Sequence, residues 1–174
     1  MKRNALAFAL VLLAVFVGRG SFAYFTNDSY AQIYEHTDGG TTIACVTAGN
    51  WYRWVSSTVA KETGSSTADG DTSGQITIGA RGAGTYRIGW SAGFDADKAS
   101  QIEWAILIGD SKQNNIASFR DISNPNDTGS ASSTGITSAV LSAGDVITLA
   151  TSSDTANTDV SASHISLWAR RIGP

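Results

Sequence analysis

The chain has 174 residues, 42% of them hydrophobic and 16% charged, with 18 glycines, one cysteine and two histidines. That length fits one domain, or one domain with an appendage, and the apolar share excludes a disordered chain. The lone cysteine excludes a disulfide framework or a multi-cysteine zinc module, and the net charge of −3 argues against a nucleic-acid binder, which needs a basic face.

At the start, Lys2 and Arg3 precede an apolar run from Ala5 to Val17, and small residues follow at Ser21 and Ala23. A basic opening, an apolar centre and small residues before a cut predict an export signal cleaved after Ala23. The run is shorter than the roughly 20 residues of a membrane-spanning helix. A retained anchor or assembly helix, and a buried core helix, are the other two readings of this apolar helical segment. The expected organisation is a signal-peptide-like or anchoring segment over 1–23 and one domain over 24–174. Loss of 1–23 removes Lys2, Arg3 and Arg19 and no acid, leaving 9 bases against 15 acids and a net charge of −6.

The remainder reads as strands in chain order. Strands are predicted over 30–37, 42–48 and 51–59, and then Ile76, Ile78 and Ala80 alternate with Gln75, Thr77 and Gly79. From Thr85, the residues Tyr86, Ile88, Trp90, Ala92 and Phe94 share one face, with Arg87, Gly89, Ser91 and Gly93 on the other. That period of two marks a half-buried strand. Ile102, Trp104, Ile106 and Ile108 repeat it, Glu103 faces away, and Gly109-Asp110 signals a turn. Further strands are predicted over 115–122, 136–141, 145–151 and 163–172. Loops rich in Gly, Ser, Asp and Asn are expected over 63–74, 109–115, 123–135 and 152–162. No stretch after residue 25 has helical periodicity over three turns. Many short strands between turn signals predict an all-β antiparallel β-sandwich. Cys45 alone cannot pin an immunoglobulin-type sandwich, so a jelly roll of about 8–10 strands is expected.

The residues that carry a resemblance are Asn50-Trp51-Tyr52-Arg53-Trp54-Val55, Gly84-Thr85-Tyr86-Arg87-Ile88-Gly89-Trp90 and Trp104-Ala105-Ile106-Leu107-Ile108-Gly109-Asp110. With them go Leu141-Ser142-Ala143-Gly144-Asp145-Val146-Ile147 and the terminal Ile165-Ser166-Leu167-Trp168-Ala169-Arg170-Arg171-Ile172. Over about residues 40–172 this resembles the trimeric jelly rolls related to complement-type and tumour-necrosis-factor-like globular heads, in particular those of phage head fibres, decoration proteins and tail tips. The resemblance implies a homotrimer with the last strand inside the trimer. The sequence lacks the collagen-like stalk of animal members, so a stalk-based receptor role is not implied. A shorter stretch, Gly20-Ser21-Phe22-Ala23-Tyr24-Phe25-Thr26-Asn27, is similar to the cleavage region of secreted fibre-forming proteins of the camelysin and biofilm-matrix type.

Candidate chemistry is sparse. The histidines His36 and His164 stand far apart in sequence, and no Gly-x-Ser-x-Gly elbow surrounds any serine. Cys45, in Thr42-Ile43-Ala44-Cys45-Val46-Thr47, reads as a small buried hydrophobe rather than a reactive thiol. Asp69-Gly70-Asp71 opens like a calcium loop, but the twelfth position is Ala80 rather than a bidentate Glu. A looser site on Asp69 and Asp71 stays open beside a solvated loop. Gly79-x-x-Gly82-x-Gly84 opens no helix and reads as a tight bend rather than a phosphate cradle. No catalytic, cofactor-binding or metal residue is assigned, and no enzyme activity is expected.

Trp90 and Trp104 fall in step with core positions. Trp51 and Trp54 have opposite parity in one predicted strand, and Trp168 is out of step with Ile165 and Leu167. A strand apolar on both faces needs cover on both, and a subunit interface supplies it. An exposed aromatic platform for a sugar is the alternative, and Arg170-Arg171 is placed at a seam or surface. The expected protein is a non-enzymatic homotrimeric virion accessory subunit on a virion surface, contacting other virion proteins or a host-surface glycan through loops 123–135 and 152–162. It has no nucleic-acid partner and meets a membrane only through 1–23. The alternative is a secreted extracellular filament or adhesin subunit that donates Tyr24–Ile33 as a strand to its neighbour.

Overall fold

The computed structural model describes residues 30–55, 58–63, 68–70 and 73–174, with 37–39, 58–63, 68–70 and 131–138 described by backbone alone. The leader over 1–23, the rest of the donated segment up to Ser29, and Asp71 of the looser calcium site lie outside them. Among the described residues there are twelve strands: β1 (Tyr30–Cys45), β2 (Tyr52–Arg53), β3 (Thr58–Thr63), β4 (Ala68–Gly70), β5 (Gln75–Ile78), β6 (Gly84–Ala96), β7 (Ser100–Ile108), β8 (Ser111–Lys112), β9 (Ser118–Ile122), β10 (Thr128–Leu141), β11 (Val146–Ser153) and β12 (Thr158–Gly173). One sheet has the order β10-β6-β12-β1-β3; the other runs β4-β5-β11-β7-β8, with β2 on β11 and β9 on β7. Every pairing is antiparallel. The expected all-β antiparallel sandwich is the observed architecture.

Alternation builds the core. Tyr86, Ile88, Trp90, Ala92 and Phe94 of β6 are buried, as are Ile165, Leu167 and Ala169 of β12. From the facing sheet come Ile76, Ile78, Ile102, Trp104, Ile106, Ile147 and Leu149. Phe94 and Trp104 meet across the two sheets with ring centroids 5.6 Å apart, the tilted packing that ring quadrupoles favour. Trp90 donates its indole N–H to the Ile116 carbonyl at 2.8 Å, and Tyr86 donates its hydroxyl to Gly82 O at 2.7 Å. Buried polar tips need such partners.

Several boundaries differ from expectation. The strands predicted over 30–37 and 42–48 are one strand, β1, whose register against β12 shifts between His36 and Thr41. Gly40 sits in that irregularity with φ +62°, and a Cβ there would stand 2.5 Å from the Ala162 carbonyl oxygen. Only glycine fits. The strand predicted over 51–59 is broken into β2 and β3, and that over 115–122 opens as a 3-10 turn, Asn114–Ile116. Ala80 lies in an exposed turn rather than on β5. The expected loop over 123–135 is a loop only to residue 127, because β10 begins at Thr128. Likewise the expected loop over 152–162 shrinks to 154–157 between β11 and β12. Ser and Thr fill strand edges here, so composition alone overstated both loops.

Candidate functional site

The two sheets treat their outer faces differently. On the β7–β11 sheet, Ala105, Leu107, Thr148, Ala150 and Ser152 alternate with the core residues and are still buried. Trp51 lies beside Gln101, Glu103, Lys112 and Ser152 around a small polar cavity of about 290 Å³. Its ring takes the Lys112 ammonium at 4.7 Å, and that ammonium also pairs with Glu103 at 2.6 Å. Arg53 of β2 pairs with Asp110 in the turn after β7. Contacts within the chain cover the centre of this face, while Phe119 of β9, opposite Glu103, is 62% exposed at its edge.

The β6–β12–β1 sheet is different. Apart from Gly89, its described outward side chains are all half-buried or exposed. They include Tyr30 and Tyr34 of β1, Trp168 and Ile172 of β12, and Val140 of β10. Tyr34, Ile172 and Val140 are 37%, 52% and 80% exposed. Trp168 stands opposite Gly89 on β6 and Gln32 on β1. A Cβ on Gly89 would meet Trp168 Cζ2 at 2.3 Å, so the missing side chain is the seat on which the indole rests. Beside it Tyr30 donates its hydroxyl to Gln32 Oε1 at 2.7 Å, and the Gln32 amide donates to Ser166 Oγ at 3.2 Å. Burial pushes the Tyr30 phenol above its ordinary value. Arg170 stands directly opposite Arg87 on the same face.

The residues singled out in the sequence now have positions. Trp90 and Trp104 are core. Trp168 is on the outer face, out of step with Ile165 and Leu167 as its parity required. Trp51 and Trp54 do point to opposite sides, but not from one regular strand: Trp54 is fully buried in the chain's own core, so it needs no second subunit. Cys45 is buried, and burial first, then the Asp159 charge, pushes its thiol up to about 11. Gly79 O accepts from Gly82 N at 2.9 Å, the tight bend expected before β6. Asp69 lies on β4.

Two arrangements were not foreseen. Glu35, 7% exposed, accepts from Trp54 Nε1 at 2.7 Å and from Thr41 Oγ1, tying β1 to the chain after β2 inside the core. His36 and His164 pair directly across β1 and β12, with ring centroids 4.2 Å apart and planes at 79°. Strand pairing across 128 residues leaves no local signal in the sequence.

One end of the sandwich gathers four loops: 46–51, 97–99, 123–127 and 154–157. Asn126 N donates to Ala96 O, Lys98 Nζ to Ala156 O, Asn157 N to Val46 O and Gly49 N to Ser153 O. Asp97 and Asp154 carboxylates accept from the amides of Asp159 and Gln101. These bonds tie the loop tips into one surface. Among the described residues no group of three or more His, Cys, Asp or Glu is placed to hold a metal ion.

No family model matches the chain, and no curated protein matches it in sequence. Solved structures do. The structure titled Eiger TNF from S. frugiperda superposes with a TM-score of 0.58 at 13% identity, covering 85% of this chain and 95% of that one. Murine APRIL at pH 8.0 superposes at 0.53 with 12% identity, covering 82% and 99%. PRD1 vertex protein P5, at 14% identity and coverage of 84% and 98%, reaches 0.49. The similarity shows the fold, the two-sheet jelly roll of tumour-necrosis-factor-like heads that the sequence resembles.

Proposed function

We propose that the chain is a non-enzymatic jelly-roll head that closes into a homotrimer through the outer face of its β6–β12–β1 sheet and presents the four-loop end for attachment. The observation that carries this is the row of aromatic and aliphatic side chains on that face, Tyr30, Tyr34, Val140, Trp168 and Ile172, while the opposite sheet covers the centre of its own outer face and exposes one aromatic there, Phe119. A second copy is the occupant because the patch draws on β1, β12 and β10 across the width of the sheet, and aromatic residues are enriched in such contacts. Threefold closure is what the jelly-roll resemblance implies, and it requires a heterologous contact. The setting proposed is a virion surface, as a head-fibre, decoration or tail-tip subunit.

The rival is a secreted filament subunit that donates Tyr24–Ile33. The described part of that segment, Tyr30–Ile33, is held between β12 and β3 in its own sheet, with Ala31 and Ile33 fully buried. This favours the closed assembly. Intact mass together with sedimentation velocity of the native protein tests the proposal. A single compact species of three chains is the expected result, and a ladder of growing polymers built from chains beginning at Tyr24 would overturn it in favour of the filament.

A further inference from the structure

The two histidines of the chain come together on the outer face of the β6–β12–β1 sheet. They sit where β1 leaves register, since the ladder resumes at Thr41 opposite Ala162. Bulges of this kind re-aim side chains and recur beside functional sites. Both imidazoles are exposed. Gly93 on β6 is the residue opposite His164, and with no side chain of its own it leaves the flank of the pair open. His164 Nδ1 lies 3.0 Å from Ser163 Oγ. When Nδ1 donates to that hydroxyl, the lone pair is on Nε2, and the ring is oriented by the same kind of outer hydrogen bond that supports metal-binding histidines.

We propose that His36 and His164 form a surface site for a divalent transition-metal ion of the zinc, nickel and copper group. Imidazole nitrogens are ligands suited to these ions. Metal–nitrogen bonds of about 2.0–2.1 Å bring two imidazoles to van der Waals contact around one ion. The rings already touch, so only small rotations about the side-chain bonds are needed to turn the edge-to-face pair into a chelate. Water completes the coordination, which leaves open positions toward solvent or a neighbouring copy. The site depends on the pairing of β1 with β12 and lies on the face proposed above to meet a neighbouring copy, so both its ligands come from one chain while its open positions face the seam.

The test is calorimetric titration of the tag-free full chain with zinc chloride at pH 7.5, repeated on His36→Asn and His164→Asn. One zinc per chain is expected, with affinity lowered about tenfold or more in each variant. In the unaltered chain, the ring-proton resonances of both histidines shift together as zinc is added, which reads the site without any substitution. Absence of binding, binding that survives either substitution in a folded variant, or a shift of one histidine alone overturns the proposal.

Discussion

Replacing Trp54 with Phe tests the least expected interior contact. Trp54 is fully buried and its indole N–H reaches Glu35 Oε2 at 2.7 Å. Phe removes that donor from a buried carboxyl group, a loss of about 1–3 kcal/mol. The smaller ring also leaves a void worth about 1–2 kcal/mol. Together these give a loss near 3 kcal/mol, or a melting point lowered by about 6–12 °C for a chain of this size. Urea unfolding followed by far-UV circular dichroism measures it, at one fixed protein concentration because association adds a concentration term. The hydrogen bond itself is isolated by a cycle with Glu35→Leu, in which the Thr41 contribution cancels. A coupling of about 1 kcal/mol or more is expected. A coupling indistinguishable from zero refutes the reasoning, since Trp54 would then act through volume alone.

Three further outcomes follow from single positions. Gly89→Ala drives a methyl into Trp168 and is expected to destabilise by about 1–3 kcal/mol, read by the same unfolding assay, with changed indole fluorescence as the ring leaves its seat. Gly40→Ala combines a left-handed backbone with the close Ala162 carbonyl; its cost of about 1–3 kcal/mol comes with weakened zinc binding at the adjacent histidine pair. The Cys45 thiol, pushed up to about 11, ionises in the unfolded chain near 8.5, so the fold favours the neutral form. That stabilisation is complete below about pH 8.5 and is lost as pH rises toward 11. Cys45→Ala removes this alkaline slope, and in the native protein at pH 8 the thiol reacts with a maleimide far more slowly than in urea.

The long alternating runs were legible because period-two burial is local: β6 and β7 follow directly from Tyr86 to Phe94 and from Ile102 to Ile106. The Gly79–Gly84 bend was legible for the same reason. The outward position of Trp168 also followed, because parity against Ile165 and Leu167 is fixed within one strand. What local pattern could not give was pairing. The His36–His164 contact and the Trp54–Glu35 hydrogen bond both depend on which strands become neighbours, a property of the whole topology. Residues 128–135 and 158–162 read as loops because Ser, Thr, Gly and Asp dominate them. Their backbones complete ladders with β6 and β1, and propensity gives way to that pairing. Trp51 and Trp54 misled for a related reason, since both lie outside the two-residue strand β2 and their opposite parity is resolved within one molecule.

The claim that the β6–β12–β1 face is the assembly surface is tested most directly by sedimentation equilibrium of Trp168→Arg and Tyr34→Arg. Both side chains face outward, so each variant is expected to keep the far-ultraviolet dichroism and the cooperative unfolding of the fold. A desolvated arginine at the seam opposes association by several kcal/mol, and the mass is expected to fall from three chains to one. Folded variants that sediment at the mass of the unaltered protein would contradict the account and place the contact elsewhere on the molecule.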